Sequence, residues 1–150
     1  MEKVELVFDP DNARAADYVG ERLSMFNSSR TGRSDYYPCK IFLKGEKGET
    51  LGGLLGYLWS DWLFVSILWV DEALSGQGHA TRLMDAAEDY ARERGCHSAH
   101  LDTHTWQARP FYEKRGYEVF ATLDDFPPGH KKFFLRKSLR QVAGRSDSGQ

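Results

Sequence analysis

A glycine-rich turn lies between an apolar run and a long amphipathic stretch, where the chain reads Ser75-Gly76-Gln77-Gly78. Glycines let a backbone approach an anion closely, and the unpaired N–H groups in the first turn of a helix point towards such an anion. The chemistry that this arrangement indicates is the binding of a phosphate or a pyrophosphate. Glycines also serve tight strand-to-helix turns that bind nothing, and the turn matches neither the nucleotide P-loop nor the dinucleotide fingerprint.

Three titratable side chains occupy alternate positions at His100, Asp102 and His104. Alternate residues of a strand share one face. The three side chains therefore form either a base or substrate-anchoring cluster, or a partly exposed polar face near a strand end. Their types also suit zinc, but the run suggests no further ligands, and we expect no metal.

Hydrophobic periodicity and turn residues predict the elements that position these groups. The helix after the glycine-rich turn repeats apolar residues at helical spacing, and the strands are bounded by turn residues. In chain order we predict a strand over residues 4–8, a helix over 13–26, a loop or short helix over 27–35, strands over 41–43, 51–59 and 62–70, a helix over 78–94, a strand over 99–103, a helix over 111–115, and strands over 117–123 and 132–136.

This order predicts an α/β fold with a mixed sheet of about seven strands and helices on both faces, because a helix between neighbouring strands gives parallel pairing. The run Trp62 to Val70 is apolar at both alternating positions except at Ser66, which is typical of a central strand covered on both sides. We expect one domain over residues 1–139 and a disordered tail over residues 140–150, where almost nothing is apolar.

The composition narrows the classes of partner. The chain has 150 residues with 20 basic and 22 acidic side chains, a net charge of −2, so we expect no nucleic-acid partner. No basic and apolar leader and no membrane-length apolar run is evident, and we expect no membrane partner. Cys39 and Cys96 have no CxxC spacing, which favours free thiols and a cytoplasmic protein.

Two runs of the sequence resemble the motifs of one enzyme family. Residues 68–84, LWVDEALSGQGHATRLM, are similar to the acetyl-CoA-binding motif Q/R-x-x-G-x-G/A of the GCN5-related N-acetyltransferases (GNAT). Residues 107–117, QARPFYEKRGY, are similar to that family's later segment, in which an alanine is followed by a tyrosine and a glycine-aromatic pair. The predicted element order also matches the family's.

The resemblance implies an acetyl-CoA-dependent N-acetyltransferase in which an amine attacks the thioester directly. Ser75 stands where the family usually has Gln or Arg, and Thr105 where many members have an Asn that contacts the pantetheine arm. For the strand-backbone oxyanion contact the resemblance points close to Leu68. Carried over residue by residue, the cofactor-binding residues are Leu68, Trp69, Val70, Gly76, Gln77, Gly78, His79, Ala80, Thr81 and Thr105.

By the resemblance, Tyr112 corresponds to the family's general acid. A phenol suits that role, since it is neutral at pH 7 and can donate a proton to a developing thiolate. Packing in a core is the alternative for this tyrosine. The base is not identified: where many members have a carboxylate on the strand before the glycine-rich turn, this strand offers only Ser66. We expect the acceptor to contact residues among Ser66, Asp102, His104 and Trp106.

For the acceptor we expect a primary amine of a small molecule. A protein N-terminus or lysine is the alternative within the same fold, and a non-catalytic coenzyme A-binding module is the alternative from another class. The family resemblance also implies a homodimer. The connection Asp124 to His130 between the last two strands is expected to fold over a site or a neighbouring subunit.

Overall fold

A computed structural model describes residues 2–140 of the chain and divides it into two compact units, one up to Ser34 and one from Asp35. The predicted tail, residues 140–150, lies outside the described residues apart from Arg140. No helix within residues 2–140 is long and apolar enough to cross a membrane.

The first unit contains one helix, α1, over Ala13–Thr31. It begins at Asn12, whose side chain accepts a hydrogen bond from the backbone N–H of Ala15, and it ends at Gly32 in the left-handed conformation. The predicted helix is confirmed, and it extends through most of the stretch 27–35. The predicted strand over residues 4–8 is wrong, because these residues join no ladder that would pair their backbone groups.

The second unit contains a six-stranded mixed sheet in the order β1-β2-β3-β4-β6-β5. This confirms the predicted α/β class, with six strands within residues 2–140 in place of about seven. The strands are β1 Tyr36–Lys44, β2 Thr50–Trp59, β3 Trp62–Val70, β4 Ser98–His104, β5 Glu118–Asp124 and β6 Lys131–Ser138.

Helices connect the strands of this unit. A short 3₁₀ helix over Glu72–Leu74 leads to α2, which spans His79–Glu93, and α3 spans Arg109–Lys114. Because α2 crosses from β3 to β4, these two strands are parallel, whereas every other neighbouring pair is antiparallel. The predicted strands before α2, the long helix and the parallel pairing are confirmed.

The core of the second unit forms between α2 and the sheet. The amphipathic helix turns its apolar side inward, and alternate residues of the strands meet it. The predicted central place of β3 is confirmed, but cover on both of its faces is wrong, since Ile67 and Trp69 are 51% and 54% exposed. Buried together are, among others, Leu54, Leu58, Leu63, Leu83, Met84, Ala87, Ala91, Leu101 and Leu135.

Candidate active site

β3 and β4 pair along only part of their length. The parallel ladder joins Trp62–Val65 to Ser98–Leu101, while β3 continues to Val70 and β4 to His104. Beyond the ladder the two strands diverge, and their facing peptide groups no longer pair with each other. Such groups are available to a ligand that enters between the strands.

A β-bulge lies where the strands diverge. In the ladder between β2 and β3, Leu55 is opposite Ile67 and Gly56 is opposite Val65, so Ser66 is an extra residue on β3. A Cβ atom on Gly56 would collide with a backbone carbonyl of β3, which explains the glycine. Because a bulge bends its strand and increases the local twist, it accounts for the separation of β3 from β4.

A cavity of about 450 Å³ occupies the gap between the diverging strands. Its walls come from β3, β4, the first turn of α2, the turn after β4 and α3. The lining residues are Val65, Ser66, Ile67, Leu68, Val70, Ala80, Asp102, Thr103, Gln107, Ala108, Phe111 and Tyr112.

The cavity therefore brings together several residues that the sequence analysis selected for different reasons. Leu68, Val70 and Ala80 were expected to bind the cofactor, and Ser66 and Asp102 the acceptor. Tyr112, the expected acid, lines the same space. Trp69, Thr105, His104 and Trp106 are not among its lining residues.

Tyr112 is 8% exposed and extends from α3 into this cavity. Burial raises the pKa of its phenol to about 12, and the negative charge of Asp102 acts in the same direction. The hydroxyl is therefore protonated throughout the neutral and mildly alkaline range. It is a hydrogen-bond donor placed at the wall of a largely apolar cavity.

The glycine-rich turn forms the N-terminal end of α2. Gly76 and Gly78 have φ angles of +78° and +80°, a conformation that L side chains rarely adopt, and a Cβ on either glycine would meet open space. No side chain of residues 2–140 caps this end of α2, and its first turn carries no acidic residue. An uncapped helix end with open space before it suits an anion.

Arg82 lies within the first turns of α2 as well. Its Nη1 is 3.1 Å from Nδ1 of His79, so a cationic side chain is held close to the helix end. Gln77 and Thr81 belong to the same exposed turn. All the residues expected to hold phosphates thus lie in one short segment, although only Ala80 reaches the cavity wall.

His100, Asp102 and His104 share one face of β4, yet no hydrogen bond described within residues 2–140 joins them. His100 stacks against Phe64 with ring centroids 4.8 Å apart. Burial lowers the pKa of His100, although the charge of Asp102 acts in the opposite direction. Asp102 is instead near Lys132, with Nζ 3.8 Å from its carboxylate.

His104 has a defined tautomer. Its backbone N–H donates to Oε1 of Gln107 at 2.8 Å, and its Nδ1 lies 2.9 Å from the same oxygen. Since an amide oxygen only accepts, Nδ1 carries the proton of the neutral ring. That leaves the lone pair on Nε2, for which residues 2–140 supply no hydrogen-bond partner. Gln107, which holds the ring, lines the cavity.

Aromatic rings surround His104 on the outer side. Trp106 stacks on it at 4.6 Å between centroids, and Phe126, from the β5–β6 connection, lies at 5.4 Å. The hydroxyl of Thr105 is 2.7 Å from Nδ1 of His130 in the same connection. The β5–β6 connection is thus tied to the end of β4, and the side chain of Thr105 is engaged in that tie.

Sequence reasoning missed Gly56 and Gln107. Glycine inside a strand is a known signal for a bulge, and the apolar stretch of β2 contains one at position 56. Gln107 was quoted in a motif but given no role. Its three hydrogen bonds, from the backbone and ring of His104 and from the hydroxyl of Thr103, depend on a turn that the sequence does not specify.

Comparison with known proteins points to one family. The model of the Acetyltransferase (GNAT) family matches residues 3–117. A blasticidin-S acetyltransferase from Streptomyces morookaense is 43% identical over 96 residues, which are 63% of this chain and 71% of that protein. An acetyltransferase from Agrobacterium fabrum is 34% identical over 129 residues, 86% of this chain and 94% of that protein.

A solved structure shows the same architecture. The crystal structure of an Agrobacterium tumefaciens protein assigned as an acetyltransferase superposes with a TM-score of 0.85 at 32% identity. The match covers 91% of this chain and 99% of the other.

Proposed function

Because this chain belongs to the GNAT acetyltransferase family and takes its acetyl group from acetyl-CoA, we propose that it acetylates a primary amine of a small molecule by direct attack on the thioester. The observation that carries the proposal is the cavity between the diverging ends of β3 and β4. It meets a helix N-terminus on one side, and Tyr112 and Asp102 line its wall.

The residues present fit acetyl-CoA at this place. The uncapped first turn of α2, from Gly76 to Thr81, suits the pyrophosphate, and the positive helix end favours its charge. The free peptide groups of Leu68 and Val70 can form hydrogen bonds with the amides of the pantetheine arm, as the peptide groups of neighbouring strands do with each other. Trp69 lies between them with its backbone on the same strand. A contact from Thr105 to the pantetheine arm would have to compete with His130, whose Nδ1 lies 2.7 Å from the Thr105 hydroxyl.

Acetyl-CoA supplies an activated acyl group whose carbonyl oxygen becomes negative when an amine adds to it. A backbone N–H of the free edge of β3 near Leu68 stabilises that oxygen. Tyr112 donates a hydrogen bond to the departing sulfur. Its raised pKa makes it a weak acid but keeps it protonated at neutral pH, so its role is to hold and pass a proton at the thiolate.

On the acceptor side, Asp102 and His104 have separate tasks. The Asp102 carboxylate in the cavity wall attracts an ammonium group and orients it. Nε2 of His104 accepts a proton from the amine, directly or through water, since the contact with Gln107 places the ring's N–H at Nδ1. Ser66 and Trp106 complete the acceptor site, Ser66 at the bulge and Trp106 by its stacking on His104.

The similarity to a blasticidin-S acetyltransferase favours an amine-bearing antibiotic as the acceptor class. It is the relative with the higher identity of the two, and its named acceptor is a small molecule. A peptide acceptor would need an extended groove, and the aromatic residues Trp106 and Phe126 with the β5–β6 connection instead make a compact wall beside His104.

The test has two stages. Calorimetric titration with acetyl-CoA, with ADP as the control, is expected to give micromolar binding that requires the pantetheine arm. Thiol release from acetyl-CoA is then measured with blasticidin S, with streptothricin-type amines and with a peptide bearing a free N-terminus. Turnover with a small amine supports the proposal, turnover with the peptide alone supports the alternative, and binding without any turnover supports a non-catalytic module.

We further propose that the protein is a cytoplasmic homodimer. Within residues 2–140, Cys39 and Cys96 form no disulfide and both are buried, as suits a protein of a reducing compartment. Light scattering at micromolar concentration is expected to give twice the chain mass of 17.1 kDa, and a single species of the chain mass contradicts the dimer.

A further inference from the structure

One carboxylate is buried within the second unit. Glu88 on α2 is 2% exposed, and a charged side chain rarely occupies such a place without partners. Glu88 lies outside the cavity and has no part in the proposed mechanism. Catalysis therefore does not explain why a carboxylate is buried there.

Glu88 is bound from three separate parts of the chain. Its Oε2 accepts a hydrogen bond of 2.8 Å from the hydroxyl of Tyr117 and lies 3.2 Å from Nη2 of Arg115. Its Oε1 accepts a bond of 2.7 Å from Nζ of Lys137 on β6. Arg92, one helical turn away, lies 3.7 Å from the same oxygen. The carboxylate is therefore fully engaged.

Two of these partners flank the end of the helix that carries Tyr112. Arg115 and Tyr117 stand on either side of Gly116, where α3 ends with a φ of +96°. Their backbone N–H groups both donate to the carbonyl oxygen of Tyr112, at 3.0 Å and 3.1 Å. The ring of Tyr117 also meets the ring of Tyr112 edge to face, with centroids 6.0 Å apart.

The position of α3 depends on contacts with other parts of the chain. It has six residues, and no side chain of residues 2–140 caps its N-terminal end. A helix of this length is unstable alone, so its place is set by what anchors it. The anchor at its C-terminal end is Glu88, which binds the side chains of both Arg115 and Tyr117; Asp85 also binds Arg115, at 2.9 Å.

We propose that Glu88 is a positioning residue for Tyr112, acting through the hydroxyl of Tyr117. The inference rests on the proposed function, in which Tyr112 donates to the departing sulfur. Glu88 touches neither the donor nor the acceptor; it holds the end of α3 so that the Tyr112 hydroxyl faces the cavity.

Tyr117→Phe is the sharpest test, because it removes only the hydroxyl that links α3 to Glu88 and keeps the ring. Tyr90→Phe is the matched control, since it removes a hydroxyl from α2 whose one hydrogen bond within residues 2–140 is to the Pro38 carbonyl at 3.5 Å. With blasticidin S as acceptor, Tyr117→Phe is expected to lower kcat at least fivefold and to change the Kd of acetyl-CoA less than twofold. Tyr90→Phe is expected to leave both unchanged.

The variants are then combined with Tyr112→Phe. If Glu88 acts through Tyr112, Tyr117→Phe lowers kcat less than twofold further in that background. A merely structural role instead keeps the full factor in both backgrounds and overturns the proposal, as does an unchanged kcat in Tyr117→Phe alone.

A second measurement needs no acceptor. In protein labelled with ¹³C at the tyrosine ζ carbon, the Tyr112 signal is the one lost in Tyr112→Phe. We expect this signal to shift in Tyr117→Phe and in Glu88→Gln, and to stay in place in Tyr90→Phe. A Tyr112 signal that does not move in Tyr117→Phe overturns the proposal. If no amine is turned over, the proposed function fails by itself, and this spectrum still decides whether Glu88 positions Tyr112.

Discussion

The carbonyl oxygen of Phe64 lies so close to Gly56 that a Cβ atom of any other residue at position 56 would collide with it. In the β2–β3 ladder Gly56 is opposite Val65, which lies between Phe64 and the extra residue Ser66. The close approach exists because β3 bulges at that point. The glycine in β2 therefore leaves room for the bulge in β3, and the bulge separates β3 from β4 and opens the cavity.

Gly56→Ala is expected to destabilise the protein by about 1–3 kcal/mol, since the backbone must move to admit the methyl group. Because that movement displaces the bulge, acetyl-CoA binding should weaken as well. Urea denaturation and calorimetric titration measure the two effects.

Gly20→Ala is the matched control for this substitution. Gly20 lies inside α1, and a Cβ there meets nothing within 4 Å. Alanine is favoured over glycine in a helix interior by roughly 0.5–1 kcal/mol, so stability should rise and binding should not change. Equal stability of the Gly56→Ala variant and the wild type would disprove the close packing at the bulge.

Replacing Tyr112 by Phe is expected to lower kcat with little change in the Kd of acetyl-CoA, because in the proposed mechanism the hydroxyl acts on the departing sulfur and not on binding. A general acid of this kind contributes typically 10²–10⁴-fold, and we expect a loss of about 100-fold. Stopped-flow thiol release, with Tyr90→Phe as control, measures it.

The pH dependence of kcat gives a second test of Tyr112. With the pKa of Tyr112 raised to about 12, the phenol stays protonated at pH 10, where an ordinary tyrosine is half ionised. Wild-type kcat should therefore show no decline from pH 8 to 10. A decline centred near pH 10 that vanishes in Tyr112→Phe would mean that the tyrosine is less buried than described.

Thr81→Asp tests the anion site at the start of α2. An acidic residue in the first turn of a helix is stabilising by typically 0.3–1 kcal/mol, so the fold should be unharmed, while the added charge repels the phosphates. We expect acetyl-CoA affinity to fall at least tenfold at low ionic strength and to recover partly at high salt.

Ala86→Glu adds the same charge to an exposed position further along α2 and serves as the control. Its affinity for acetyl-CoA should stay within a factor of two of the wild type. Equal losses in both variants would show that net charge, and not the helix end, governs binding.

Because of Tyr112 and Tyr117, the free energy of unfolding should fall as the pH becomes alkaline. Burial, reinforced by a neighbouring carboxylate, raises the pKa of both phenols above that of an unfolded tyrosine. The folded state thus holds two protons that the unfolded state loses near pH 10, so the stabilisation is complete below pH 10 and is lost as pH rises towards 12.

Each tyrosine contributes about 1.4 kcal/mol per pH unit to this loss. Tyr117→Phe should lower stability at pH 7, because a hydrogen bond to a carboxylate is lost, but it should also reduce the slope between pH 10 and 11. Urea denaturation from pH 8 to 11 measures both. An identical slope in wild type and variant would remove Tyr117 as its source.

The sequence predicted the parts of this molecule that follow from local pattern. The helical spacing of apolar residues in α2 and the two glycines before it indicate a helix with an open N-terminal end. The alternation through β4 placed His100, Asp102 and His104 on one face. These features depend only on neighbours in the chain, which is why they were accessible.

Contacts between distant residues were not accessible in the same way. Residues 4–8 have a strand-like composition, yet a strand also needs a partner, and none is present in the ladders. The burial of Glu88 follows from Tyr117 and Lys137, which lie 29 and 49 residues further along the chain. The tautomer of His104 depends on a turn that brings back Gln107.

The two halves of the sheet, β1-β2-β3 and β4-β6-β5, meet in a ladder of only four residue pairs. Because this β3–β4 ladder is so short, we expect the sheet to be mechanically weakest along the line of the candidate active site. A ligand that forms hydrogen bonds with both free strand edges adds hydrogen bonds between the two halves of the sheet. The force needed to separate the halves should therefore be higher when the ligand is bound. Pulling experiments across that line would then report occupancy as directly as a binding assay.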